Sequence, residues 1–117
     1  MPGKLTTHPL PDFYGANFDQ TLTAGGQVTD SVMLAGRVAV QFTGTATSVT
    51  AQVERSTRDP ALGSPNWAPA GDPFTGNPST ANFQPRLYDE AGVAWWRVRC
   101  PTITGGSVLV AINGKAA

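Results

Sequence analysis

Apolar and polar residues alternate along much of this chain, most clearly from Gly92 to Cys100. Ala94, Trp96, Val98 and Cys100 fall on one side, and Val93, Trp95, Arg97 and Arg99 on the other. A period of two marks a β-strand, because successive side chains point to opposite faces. The first face is apolar throughout and is expected in a core. The second sets a Trp between a Val and two Arg residues and is expected to be half wet. The same period returns at residues 37–42, with Val38, Val40 and Phe42 inward, and at residues 48–56, with Val49, Ala51 and Val53 inward. It returns again at residues 107–113, with Val108, Val110 and Ile112 inward.

Between these runs stand turn formers. Gly25-Gly26 predicts a tight hairpin between strands at 20–24 and 27–34. Ala35-Gly36, residues 43–45, residues 89–92 and residues 104–106 predict further turns. Residues 57–66 read as a polar loop with one helical turn near Pro60-Ala61-Leu62. Residues 66–70 carry prolines suited to an edge strand, and residues 80–87 read as a weak strand. This predicts an all-β fold, an Ig-like sandwich of about seven to eight short antiparallel strands. Val40, Phe42, Val53, Trp96, Val98, Val110 and Ile112 are expected to be its deepest residues.

Residues 1–19 break the pattern. Pro2, Pro9 and Pro11 disfavour helix and central strand, yet Leu5, Leu10, Phe13, Tyr14 and Phe18 are large and apolar. A disordered tail has few such groups. The expectation is an extended N-terminal arm at 1–19 ahead of a sandwich domain at 20–117, the arm ordered on a neighbouring subunit or, as the alternative, lying on its own domain.

Composition narrows the function. A chain of 117 residues builds one core. Charged residues are only 14%, with 8 basic against 8 acidic, so no basic surface awaits nucleic acid or an anionic membrane. Gly (13) and Pro (10) suit short strands and many turns. Cys100 is the sole cysteine, so no intrachain disulfide forms and a buried thiol is expected. The N-terminus lacks the apolar run of a signal peptide, and no stretch is long enough to span a bilayer, so cytoplasmic synthesis without a cleaved signal is expected.

Candidate chemistry is sparse. His8 with Asp12 and Asp19 matches no metal-loop spacing, and no Gly-x-Ser-x-Gly elbow or phosphate-cradling loop is present. Asp89 and Glu90 are adjacent and read as a solvated turn. The expectation is therefore a protein that is not an enzyme and uses no cofactor or metal. Trp67 and Trp95 suggest a carbohydrate platform. Trp95, outward beside Arg97 and Arg99, has instead the composition of an interface anchor.

The run Val49-Thr50-Ala51-Gln52-Val53-Glu54-Arg55-Ser56 with Thr57-Arg58-Asp59-Pro60, followed by Asn66-Trp67-Ala68-Pro69, resembles a hairpin of fibronectin-type-III and immunoglobulin-like modules. Residues 92–100 resemble a later strand of the same modules, with Trp96 where they often place a corner tyrosine. Residues 27–113 are similar to short Ig-like structural proteins of tailed bacteriophages and prophages. That resemblance implies a virion protein, made in the host cytoplasm. A capsid decoration (cement) or minor capsid protein is implied first, with a tail or head-fibre accessory or a carbohydrate-binding module as alternatives. Its implied partners are the major capsid protein or tail proteins, met in many copies or as a homo-oligomer, and neither nucleic acid nor membrane. The residues expected to meet them are Leu5, Leu10, Phe13, Tyr14 and Phe18 of the arm, with Trp95, Arg97 and Arg99 of one sandwich face.

Overall fold

A computed structural model describes residues 3–9, 14–64, 66–78, 83 and 85–116. Leu10 and Phe13 lie outside the described residues, as does most of the weak strand expected at 80–87. Nine strands run through the described chain. They are β1 (Lys4–Pro9), β2 (Tyr14–Leu22), β3 (Gln27–Val28), β4 (Val32–Gly44), β5 (Ser48–Ser56), β6 (Ala68–Pro69), β7 (Phe74–Gly76), β8 (Arg86–Thr104) and β9 (Val108–Ala116). A 3-10 turn is described at Pro60–Leu62, whose Asp59 carboxylate accepts from the Ala61 N–H at 2.9 Å. The fold is all-β, as the alternation predicts.

All strand pairs are antiparallel and join into one sheet in the order β1-β2-β9-β4-β8-β5-β6, with β3 on β8 and β7 on β5. No α-helix is described that could cover the apolar face of this sheet, so the sheet covers itself. The rings of Phe42 on β4 and Phe74 on β7 show this directly, with centroids 4.6 Å apart. Those strands are three steps apart along the sheet, roughly 14 Å if it were flat. Phe83 completes the aromatic cluster at 5.5 Å from Phe42 and 5.6 Å from Phe74. Such a doubled-over sheet is compatible with a sandwich. Every residue expected to be deepest is buried, as are Ala94 and Cys100 on the inward side of β8.

Strand β8 is the hinge of the arrangement. Its residues 86–96 pair with β4, its other edge at residues 95–104 pairs with β5, and β3 continues the β4 side at Arg99 and Cys100. One corner brings backbone against backbone. The N–H groups of Thr45 and Ala46 both donate to the Ser107 carbonyl at 3.0 Å. A Cβ on Gly106 would lie 2.7 Å from the Thr45 carbonyl carbon, and its φ is +154°, so only glycine fits.

Two expected turns are bulges instead. β4 runs straight through Ala35-Gly36, and β8 through Asp89 to Gly92. Their register jumps here from Ala35↔Val93 to Gly36↔Glu90, so β8 carries two extra residues. Gly36 has φ +71°, which a bulge requires as readily as a turn does. Gly25-Gly26 closes no hairpin either. β2 pairs with β9, β3 pairs with β8, and Val28 is exposed.

The N-terminal segment differs most from expectation. Residues 4–9 and 14–22 are strands of this domain's own sheet, not an arm lying off it. Phe18 is 5% exposed, opposite Ile112 of β9. The Gly3 N–H donates to Asp30 Oδ2 at 2.9 Å and holds the start of the chain down. Pro9 ends an edge strand, where a missing N–H costs no ladder bond.

Candidate functional site

The outward face of β4 and β8 leaves several large apolar side chains in solvent. Met33 stands directly across from Trp95, and Ala35 from Val93. Cross-strand neighbours of this kind have Cβ atoms about 4.5–5.5 Å apart, so they form one surface. Met33 is 37% and Val93 43% exposed, and Trp95 is half-buried. Leu87, paired with Ala39 further along, is 64% exposed. These strands alternate as they do because the opposite positions fill the core. The outward set has no such requirement, yet it is apolar here.

The same face turns polar toward the C-terminal half of β8. Arg97 stands opposite Glu54 of β5. Its Nε donates to Glu54 Oε1 at 2.8 Å, and Arg99 Nε donates to Oε2 at 3.4 Å. One buried carboxylate thus holds two guanidinium groups, and Arg99 keeps much of its surface in solvent. The Arg97 guanidinium also lies over the Trp67 ring, 4.2 Å from its centroid. Arg97 therefore stacks on Trp67 and not on its strand neighbour Trp95. A sugar cannot use that face of Trp67 while Arg97 occupies it.

A second feature lies beside β6. A cavity of about 420 Å³ is bounded by Arg55, Tyr88, Asp89, Trp96 and residues 68–71. The Tyr88 and Trp96 rings are 5.6 Å apart and tilted. Arg55 forms an ion pair with Glu90, and Arg37 pairs with Asp89 at 3.2 Å. The hydrogen bond from Arg55 is the main reason the Glu90 carboxyl sits below its ordinary value. Burial pushes the Tyr88 phenol up, against the weaker opposite pull of Arg86.

Of the residues expected to meet partners, Trp95, Arg97 and Arg99 share one face, as their spacing predicts. Leu5 is exposed on β1, at the opposite edge of the sheet order from β6. Phe18 belongs to the core and is not available to a partner. Tyr14 starts β2. The arm residues and the β8 residues do not form one site. Met33, Glu54 and Arg55 were not singled out from sequence, because their placement depends on strand register. Among the described residues, no group of three or more His, Cys, Asp and Glu is placed to hold a metal ion. Comparison with known protein families and with curated proteins finds no match.

Proposed function

We propose that the protein is a non-catalytic structural module that docks face-on to a larger protein assembly through the outward side of β4 and β8. The observation that carries this reading is the apolar pair Met33 and Trp95, continued by Val93, on a surface that owes nothing to the core. Grouped exposed apolar residues with a polar rim mark interaction surfaces. A Trp and a Met beside Arg residues are the side chains enriched at the centre of such contacts. Arg99, already bridged to Glu54, supplies a rim donor. The sequence resemblance to phage structural proteins supports a virion as that assembly, with this chain as a decoration or minor capsid protein present in many copies. Repetition makes a modest affinity per contact sufficient.

The test is particle incorporation. The chain is co-expressed with the structural proteins of the genome that encodes it, and the particles are banded on a gradient. Wild-type protein co-bands with them. Trp95→Ser and Met33→Ser, at half-exposed positions, keep the fold and reduce co-banding by at least tenfold. Equal incorporation of both variants refutes the docking face. Failure of the wild-type protein to co-band refutes the virion assignment.

A further inference from the structure

Strand β8 sets one more charge on the outward face than β5 cancels. Glu54 stands opposite Arg97, and its carboxylate accepts from both Arg97 and Arg99. One negative charge thus faces two positive ones. Arg97 holds the closer bond, 2.8 Å against 3.4 Å, and lays its guanidinium on the Trp67 ring. The surplus therefore falls on Arg99, whose side chain is 45% exposed against 26% for Arg97. Nearby charges do not cancel it. Arg37 pairs with Asp89 and Arg55 with Glu90, and the Asp30 carboxylate accepts from the Gly3 N–H. Arg86 lies on the Phe74 ring of the core. Arg58 and Asp59 stand together in the loop after β5, one charge of each sign.

The surroundings select what meets this charge. Val28 lies directly across from Arg99 and is exposed. Trp95, with Met33 across from it, is four residues back along β8, about 13 Å in an extended strand. Arg99 reaches a carboxylate rooted opposite position 97, so its guanidinium is drawn to the Trp95 side. The face is thus an apolar row with a single unmatched positive charge beside it. A polyanion such as nucleic acid is held by several cations at once. One surplus cation calls for one carboxylate.

We infer that the partner is a protein surface presenting an acidic side chain, Asp or Glu, beside apolar ones. The apolar groups cover Met33 and Trp95, and the carboxylate pairs with Arg99. This rests on the docking reading of the outward face and adds the partner's chemistry to it. Glu54 is the positioning residue: it holds Arg99 in place without neutralising it, because Arg97 shares its charge. A guanidinium has five N–H donors, so the bond through Nε leaves donors for a second carboxylate. Covering the apolar row excludes water beside the pair, which strengthens it.

The experiment titrates the purified full chain with two fluorescent probes. Anilinonaphthalene sulfonate joins apolar rings to one negative charge, and its sulfonate stands in for the carboxylate. Phenylnaphthylamine has the same rings without the charge. Wild type is expected to bind both saturably. Arg99→Gln is expected to raise the sulfonate's Kd about two- to fivefold at low salt, the contribution of one exposed ion pair, and to leave the naphthylamine's Kd unchanged. Arg99→Lys keeps the charge and most of the sulfonate's affinity. Glu54→Gln leaves both guanidinium groups unmatched, so it lowers the sulfonate's Kd and not the naphthylamine's. Trp95→Ser weakens both probes. Four results overturn the inference: no saturable sulfonate binding, an Arg99→Gln effect that is absent or equal for the two probes, no gain in Glu54→Gln, or saturable binding of heparin, a polyanion. If Trp95→Ser still weakens both probes, only the acidic partner is lost and the docking face stands. If Trp95→Ser leaves both unchanged, the docking reading fails and the inference with it.

Discussion

Phe18→Ala tests whether the N-terminal segment belongs to its own domain. Phe18 is 5% exposed on β2, and a Cβ on Gly3 would fall 2.1 Å from its Cζ, so the start of the chain lies on the ring. Removing a buried Phe costs about 3–5 kcal/mol, the sum of lost transfer energy and the cavity left behind. The site is near the margin of the sheet, where β1 and residue 3 can settle inward, so the lower end of that range applies. A loss of about 3 kcal/mol is large for a domain of this size. With an unfolding entropy of about 2.1 cal/mol/K per residue, a 117-residue chain loses roughly 12 °C in Tm. Urea unfolding of the purified monomer, followed by tryptophan fluorescence, gives the free energy. Leu5→Ala in the same hairpin is the control. Leu5 is 54% exposed, and its substitution should stay within about 0.5 kcal/mol. If Phe18→Ala costs less than about 1 kcal/mol in the free monomer, the segment is not packed on its own domain in solution. Its apolar residues would then again be free to meet a neighbour.

Two other predictions concern ionisable groups. Cys100 is buried, and desolvation pushes its thiol up to about 12, so iodoacetamide at pH 8 should label it at least a hundredfold more slowly in native protein than in urea; comparable rates would refute its burial. Glu90 has a depressed folded pKa, so its contribution to stability is present above the ordinary value of 4.5 and is lost as pH falls below that through the folded value. The urea midpoint of wild type should therefore fall more steeply in this acid range than that of Glu90→Gln, and parallel profiles would refute the Arg55 pairing.

The inward faces of β4 and β8 were legible because their core positions are apolar: Val38, Val40 and Phe42, or Ala94, Trp96, Val98 and Cys100. Local composition also placed the single turn at Pro60–Leu62. Gly36 and Gly92 were read as reversals, whereas they sit where β4 and β8 slip register. A glycine permits a turn or a bulge equally, and the choice is made by a partner strand some 50 residues away in sequence, as Arg37↔Asp89 illustrates. The N-terminal strands carried a visible signal in Ala16, Phe18 and Leu22, all at even positions and all buried. The nearby prolines outweighed it, because proline excludes a central strand but not an edge. At the candidate site, the outward direction of Trp95 follows from alternation alone. Its neighbour Met33 does not, nor does the stacking of Arg97 on Trp67, since both depend on which strands lie alongside.

The pairing of β2 with β9, with Phe18 opposite Ile112, fixes when this chain can fold. β9 also pairs with β4, so the last strand of this sheet is the partner of two made much earlier. Contacts of such long sequence separation close late, because chain entropy is lost before any pairing compensates it. On the ribosome, β2 and β4 must wait with bare edges until β9 emerges. Nascent chains are therefore open to strand-to-strand aggregation throughout synthesis. Products truncated before β9 should accumulate as insoluble protein.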